Sequence, residues 1–236
     1  MLKAVIFDLD GVVADSHPIH EVAWKALLAE AGLDPRTTDV DFLYAGHPRR
    51  EILKHYLGLL SDSEMQHWSE RKDQLYELAA RGLRAKPGIP QVLSQLREAG
   101  IACALGTSAG RKRSVDSLEV MGLSSFFRIV ITGDDARMPK PAPDIFLMAA
   151  EQLAVAAENC LVVEDSVAGI QAAAAAGMKC VGYTLADRSE KLRVAGPDDV
   201  ISRFPLDSVR YFQSIIAVVH SAGFSSARSK PAKQRV

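Results

Sequence analysis

The chain has 236 residues, with 28 Lys+Arg against 29 Asp+Glu, 48% hydrophobic and 24% charged residues. That length accommodates one large domain or two small ones, and the mix is that of a globular chain, which excludes wholesale disorder. A net charge of −1 gives no electrostatic reason to expect nucleic acid or an anionic membrane as partner, and no run of about 18 apolar residues exists to span a bilayer.

The opening stretch, MLKAVIFDLDG, reaches acidic residues too early for a secretory signal, so a cytoplasmic setting is expected. Residues 4–9 form a short apolar run that predicts a strand. Residues 17–81 then show helical periodicity only: 17–31 carries Ile19, Val22, Ala23, Ala26 and Leu27 on one stripe and stops at Gly32, with comparable patterns over 49–60 and 63–80. Hinges are expected near 13–16 and 82–88.

From there the rhythm is strand and helix in alternation. Apolar runs at 101–105, 129–131, 160–163 and 180–183 suit strands buried on both faces. Periodic segments at 89–99, 112–121, 143–153 and 167–176 suit the helices between them. The predicted architecture is α/β, a doubly wound parallel sheet with an inserted α-helical domain. The expected division is a discontinuous core over 1–15 and 83–221, a helical cap over 16–82, and a basic, solvated tail over 222–236. An insert after the first strand would lie over the crevice where such sheets bind ligands. Cys103, Cys160 and Cys180 are odd in number and widely spaced, which argues against a disulfide framework or a zinc site and for small buried hydrophobes.

Four strand ends carry the polar signal. Asp8 and Asp10 are two apart in an extended strand, so both carboxylates point to one side, and two close anions call for a cation between them. Oxygen ligands favour a hard ion such as Mg²⁺. Gly106-Thr107-Ser108-Ala109-Gly110 offers hydroxyls and N–H groups before a helix, as a phosphate cradle or as a simple helix cap. Lys140 lies between prolines that restrict its backbone. Glu164 and Asp165 follow a buried strand and are either capping acids or further metal ligands. Converging at one sheet edge, these groups supply what phosphoryl transfer needs: a nucleophilic acid, a second acid, a hydroxyl, a lysine and a metal carboxylate.

DLDGVVAD, GTSAG, KPAPDIF and VVEDSVAGIQAAAAAG, in that order, resemble the four motifs of the haloacid dehalogenase superfamily. The helical insert is similar to the cap of the branch that contains β-phosphoglucomutase and sugar phosphatases. The resemblance implies that Asp8 is the nucleophile, that Asp10 is the acid/base and offers its carbonyl to Mg²⁺, and that Thr107 and Lys140 hold the phosphoryl oxygens. It also implies that Asp165 ligates Mg²⁺ with Glu164 behind it or bridged by water.

Substrate contacts are expected from Ser108 and Ala109 and from the insert. His20 sits where the mutases carry a histidine near the acid/base, or is a surface residue, while Trp24 reads as insert core. Gly46, Arg49 and Arg50 resemble the loop that presents an arginine to a distal phosphate; the bland alternative is a solvated pair with Glu51. Ala45 and Ala109-Gly110-Arg111 stand where the mutases carry polar contacts. The expected function is therefore a Mg²⁺-dependent phosphatase for a small phosphorylated metabolite, of the sugar or polyol phosphate class, acting as a monomer. A β-phosphoglucomutase-like phosphotransferase is the alternative, and a non-catalytic binding module a minor one.

Overall fold

The structure, a computed structural model, describes residues 1–43, 49–184 and 189–217. Six strands form one sheet: β1 (Ala4–Phe7), β2 (Ala102–Gly106), β3 (Ile129–Ile131), β4 (Cys160–Glu164), β5 (Lys179–Tyr183) and β6 (Asp199–Ile201). Their order is β3-β2-β1-β4-β5-β6 and every neighbouring pair is parallel. The chain crosses from one side of β1 to the other between β3 and β4, so the sheet has a topological switch point beside β1, where ligands bind in open α/β sheets.

The apolar runs are continuous because both faces of each strand are covered. In β1, Val5 and Phe7 enter a cluster with Leu93 and Leu96 of α5 (Ile89–Glu98) and Phe212 of α10 (Ser208–Ala217). Ala4 and Ile6 enter the opposite cluster with Phe146 of α7 (Asp144–Leu153) and Ile170 of α8 (Val167–Ala175). Between β2 and β3 lies α6 (Arg111–Val120), and between β5 and β6 the short α9 (Ser189–Val194). Cys103, Cys160 and Cys180 are free and buried as expected. Burial pushes the Cys103 thiol up to about 12 and that of Cys160 to about 11, which leaves them packing groups rather than nucleophiles.

Between β1 and α5 the chain builds α1 (His17–Glu30), α2 (Val40–Leu43), α3 (Arg49–Leu57) and α4 (Asp62–Ala79). Trp24 and Leu27 of α1, Leu53 of α3 and Tyr76 of α4 share a separate apolar cluster. The polar, 18-residue α4 starts cleanly because Ser61 and Glu64 form a capping box, each accepting a hydrogen bond from the other's backbone N–H. The two connections to the core run side by side: Asp15 N–H donates to Arg84 O at 2.8 Å, Lys86 N–H donates to Val13 O at 2.9 Å, and Ala14 pairs antiparallel with Ala85.

The predicted parallel α/β sheet is present, with five strands where the apolar runs placed them. The sixth, β6, is a half-buried three-residue edge strand, too short and too mixed to stand out in sequence, and α10 was likewise not foreseen. The basic segment over 222–236 lies outside the described residues. No helix among the described residues is long and apolar enough to cross a membrane.

Because the insert has its own apolar cluster, Leu27→Ala is expected to cost about 2–5 kcal/mol. Hydrogen exchange should show lost protection in α1 and α4 while β1 and β4 amides keep theirs; equal loss in both regions would mean that the two clusters unfold as one.

Candidate active site

Asp8 follows β1, Thr107 follows β2, Lys140 lies in the loop between β3 and α7, and Asp165 follows β4. Parallel strands put all four at one carboxyl edge. Lys140 is the common point: its Nζ donates to Asp8 Oδ1 at 2.6 Å, to Glu164 Oε1 at 2.6 Å and to Gly106 O at 3.0 Å. Burial lowers its pKa, but the two carboxylates outweigh that and leave it raised, so the ammonium is held charged. Thr107 is buried, its N–H donating to Ile131 O at 3.0 Å and its Oγ1 accepting from Ala109 N–H at 3.1 Å.

The two acids of the first motif sit in opposite environments. Burial raises Asp8 well above the usual carboxylate range; Lys140 opposes this, and Glu164, Asp165 and Asp10 add repulsion. Asp10 is only partly buried, and Arg113 and His20 overcome the desolvation and hold it well below the usual range. The Arg113 guanidinium forks onto Asp10, Nη1 to Oδ1 at 2.9 Å and Nη2 to Oδ2 at 2.7 Å, and His20 Nε2 lies 3.4 Å from Oδ1. Burial brings His20 down to about 4 despite Asp10, with Lys72 and Arg113 repelling its charged form.

The helices of the insert close a cavity of about 420 Å³ over this edge, within the range of small-molecule sites. Asp8, Asp10, Thr107, Ser108, Ala109, Lys140, Glu164 and Asp165 line it from the sheet; His20, Trp24, Arg49 and Lys72 line it from the insert. Arg49 reaches the cavity but is tied to Asp73, Nη1 to Oδ2 at 2.8 Å and Nη2 to Oδ1 at 2.6 Å. Arg50 is exposed, pairs with Asp62 at 3.2 Å and is not part of the lining. Gly46 lies outside the described residues.

Asp8, Asp165 and the Asp10 carbonyl are an oxygen donor set suited to a hard divalent cation. Burial, together with repulsion from neighbouring acids, raises both Asp8 and Asp165, a strain that a cation would relieve. Gly11, at φ +77°, lies so close to Asp165 that a Cβ there would come within 1.9 Å of Oδ2. Side chains alone do not complete the set: among the described residues no group of three or more His, Cys, Asp or Glu is arranged to hold a metal. Asp10 is turned to Arg113, and Glu164 spends Oε1 on Lys140 and Oε2 on Ser166 N–H at 2.6 Å.

Three lining groups escaped the sequence reading. His17 Nε2 lies 3.2 Å from Asp165 Oδ2, Arg113 sits in a basic run that resembles helix surface, and Lys72 in a polar helix. Lys72 did leave a signal: it falls on the stripe of Met65, Trp68, Leu75 and Tyr76, the buried face of α4.

A parallel sheet with its polar groups gathered at the carboxyl edge beside the switch point marks an α/β enzyme. The chain belongs to the haloacid dehalogenase-like hydrolase family, whose profile matches residues 5–183. It is 33% identical over 184 residues to the phosphorylated carbohydrates phosphatase of Thermotoga maritima, covering 75% of this chain and 83% of that protein. It is 33% identical over 190 residues to β-phosphoglucomutase of Bacillus subtilis, covering 77% and 83% respectively. Among solved structures, β-phosphoglucomutase of Clostridium difficile aligns with TM-score 0.78 and 28% identity, over 94% of this chain and 100% of that one.

Lys72 is only 2% exposed, and its Nζ meets His20 Nδ1 at 3.3 Å and the rings of Trp24 and Tyr76. Burial and repulsion from Arg49 and Arg113 lower it from 10.5 to about 7. The unfolded chain therefore binds this proton more tightly, and the fold loses stability as pH falls from 10.5 toward 7. Lys72→Met is accordingly expected to stabilise the protein in denaturant titrations below pH 7, and to lose that gain as pH rises toward 10.5. A gain independent of pH would show that burial of the charge is not the cause.

Proposed function

We propose that the protein is a Mg²⁺-dependent phosphatase that hydrolyses a small phosphate monoester of the sugar or polyol phosphate class through an aspartyl-phosphate. The observation that carries this reading is the seating of Lys140 against Asp8, 2.6 Å from Oδ1 and buried with it. A carboxylate can approach an anionic phosphoryl group only where positive charge is already in place. The T. maritima relative is named for phosphorylated carbohydrates, and hexitol phosphatase A of Escherichia coli, 32% identical over 177 residues, points to the same substrate class.

In the proposed reaction Asp10, held ionised in the empty fold by Arg113 and His20, takes up a proton as the anionic substrate binds. Asp8 then attacks phosphorus as the bond to the leaving oxygen breaks, and Asp10 gives that oxygen the proton. Asp10 then takes a proton from water as the water oxygen attacks the aspartyl-phosphate, which releases inorganic phosphate and restores the Asp8 carboxylate. Thr107 and Lys140 hold the transferring oxygens. Asp8, Asp165 and the Asp10 carbonyl would hold Mg²⁺, which supplies neutralising charge to the phosphoryl oxygens. The helical insert over 16–82 acts as the cap that excludes water, with His20, Ser108 and Ala109 against the leaving group.

A mutase must hold a bisphosphate by both ends. Here the Arg49 fork is engaged by Asp73, and Ala109 and Gly110 bring no polar side chain, so hydrolysis is the better reading. A binding module would not need an acid, a base and a lysine in register.

With Mg²⁺ present, hexose and polyol phosphates are expected to release inorganic phosphate. Chelation should abolish the activity, Mg²⁺ should restore it, and Asp8→Asn should remove it. Glucose 6-phosphate formed from glucose 1-phosphate and a bisphosphate primer, without matching phosphate release, would establish the mutase instead. An unchanged rate in Asp8→Asn would remove Asp8 as nucleophile.

A further inference from the structure

Asp10 is held by two groups, His20 from α1 and Arg113 from α6, and both rest on one ring. The ring of Tyr76, buried in α4, lies 4.6 Å from the imidazole of His20 and 5.0 Å from the guanidinium carbon of Arg113, centroid to centroid and centroid to Cζ. Arg113 takes both oxygens of Asp10 at once. A bidentate fork fixes the plane of a carboxylate as well as its distance, which a single donor cannot do. The neighbouring residue repeats the link between the same helices, with Lys112 Nζ 2.9 Å from Glu77 of α4.

We propose that Arg113 is a positioning residue for Asp10: it fixes the plane in which that carboxylate meets the leaving oxygen, and Tyr76 of the insert sets where Arg113 lies. Arg113 lines the cavity, but both of its Nη atoms are engaged by Asp10, and its effect on the reaction runs through Asp10. The inference rests on the proposed role of Asp10 as proton donor to the leaving group. During donation one fork bond gives way to the leaving oxygen while the second keeps the plane.

The leaving group separates this role from a structural one. An alkoxide departs only with a proton, whereas p-nitrophenolate departs readily without one, and kcat/KM reports the steps up to that departure. For Arg113→Met, kcat/KM on a sugar or polyol phosphate is expected to fall about 100-fold, the lower end of what a general acid contributes. On p-nitrophenyl phosphate it should fall less than about 5-fold. Arg113→Lys, which keeps the charge but not the fork, should recover part of the loss on the alkyl substrate. Tyr76→Leu should show the same substrate bias at about 3–10-fold, as expected for loss of one cation–π contact.

Equal losses on both substrates, no loss, or a gain would overturn the proposal. Should Arg113→Met fail to fold, the ratio between the two substrates in Arg113→Lys and Tyr76→Leu decides it. If the wild type hydrolyses neither substrate, the phosphatase reading fails and this one with it. If it hydrolyses both, the ratio judges Arg113 alone.

Discussion

One buried ammonium ties the carboxyl edge of the sheet together. Lys140 donates to three acceptors, on Asp8, Glu164 and Gly106 O, and so connects the ends of β1, β2 and β4 to the loop before α7. In so enclosed a place each partner is obligatory, because removing one member of a buried pair leaves an uncompensated charge and costs about 3–5 kcal/mol. The geometry is defended from behind. Glu164 is oriented by Ser166 N–H, and the room for it exists because residue 169 is glycine: a Cβ there would come within 1.8 Å of Glu164 Oε1. A tiny side chain in α8 thus sets the position of a lysine on the other side of the crevice.

The same edge separates two chemically identical side chains. Asp8 faces acids and a single lysine, whereas Asp10, two residues on, faces Arg113 and His20. Their carboxyl groups are pushed in opposite directions, the pattern by which one site can hold two carboxylates in two roles. Strand geometry alone cannot do this, since alternate residues share a face. The separation comes from Gly11, whose positive φ turns the chain directly after Asp10, and from α6, which delivers Arg113 to that second position.

Much of the candidate site was legible in sequence because its parts are local. Asp8, Asp10, Thr107, Lys140, Glu164 and Asp165 each sit one or a few residues from an apolar run, and a parallel sheet gathers strand ends without further instruction. The doubly wound sheet was legible for the same reason, since strands buried on both faces lose their polar alternation. What escaped depends on contacts far apart in the chain. Arg113 reaches Asp10 across 103 residues, and nothing in Arg111-Lys112-Arg113 marks which of three cations turns inward. Glu164 read equally well as a metal ligand or a helix cap; only the distances show both of its oxygens committed. Arg49 and Arg50, adjacent on a helix start, separate into a cavity residue and an exposed one, because neighbouring positions on a helix face about 100° apart.

The insert shows why a polar helix is not always a solvated one. In α4, Lys72 and Tyr76 occupy the stripe that Met65 and Leu75 define, yet the Lys72 ammonium reaches the crevice and the Tyr76 hydroxyl is buried in the protein rather than in water. Burying Lys72 without a carboxylate partner among the described residues opposes folding. The Trp24 and Tyr76 rings beside it offset part of that cost, since an ammonium over an aromatic face is attracted by the ring. Lys72, Arg49 and Arg113 therefore bring positive charge over an edge crowded with carboxylates, and a whole-chain charge of −1 conceals both. In the proposed reaction the phosphoryl group enters between these layers, so the Lys72 charge that is unfavourable in the empty fold becomes complementary once the anion is in place. In that proposed reaction, stability surrendered at Lys72 serves the binding of the anion, which is the usual relation between a fold and its site.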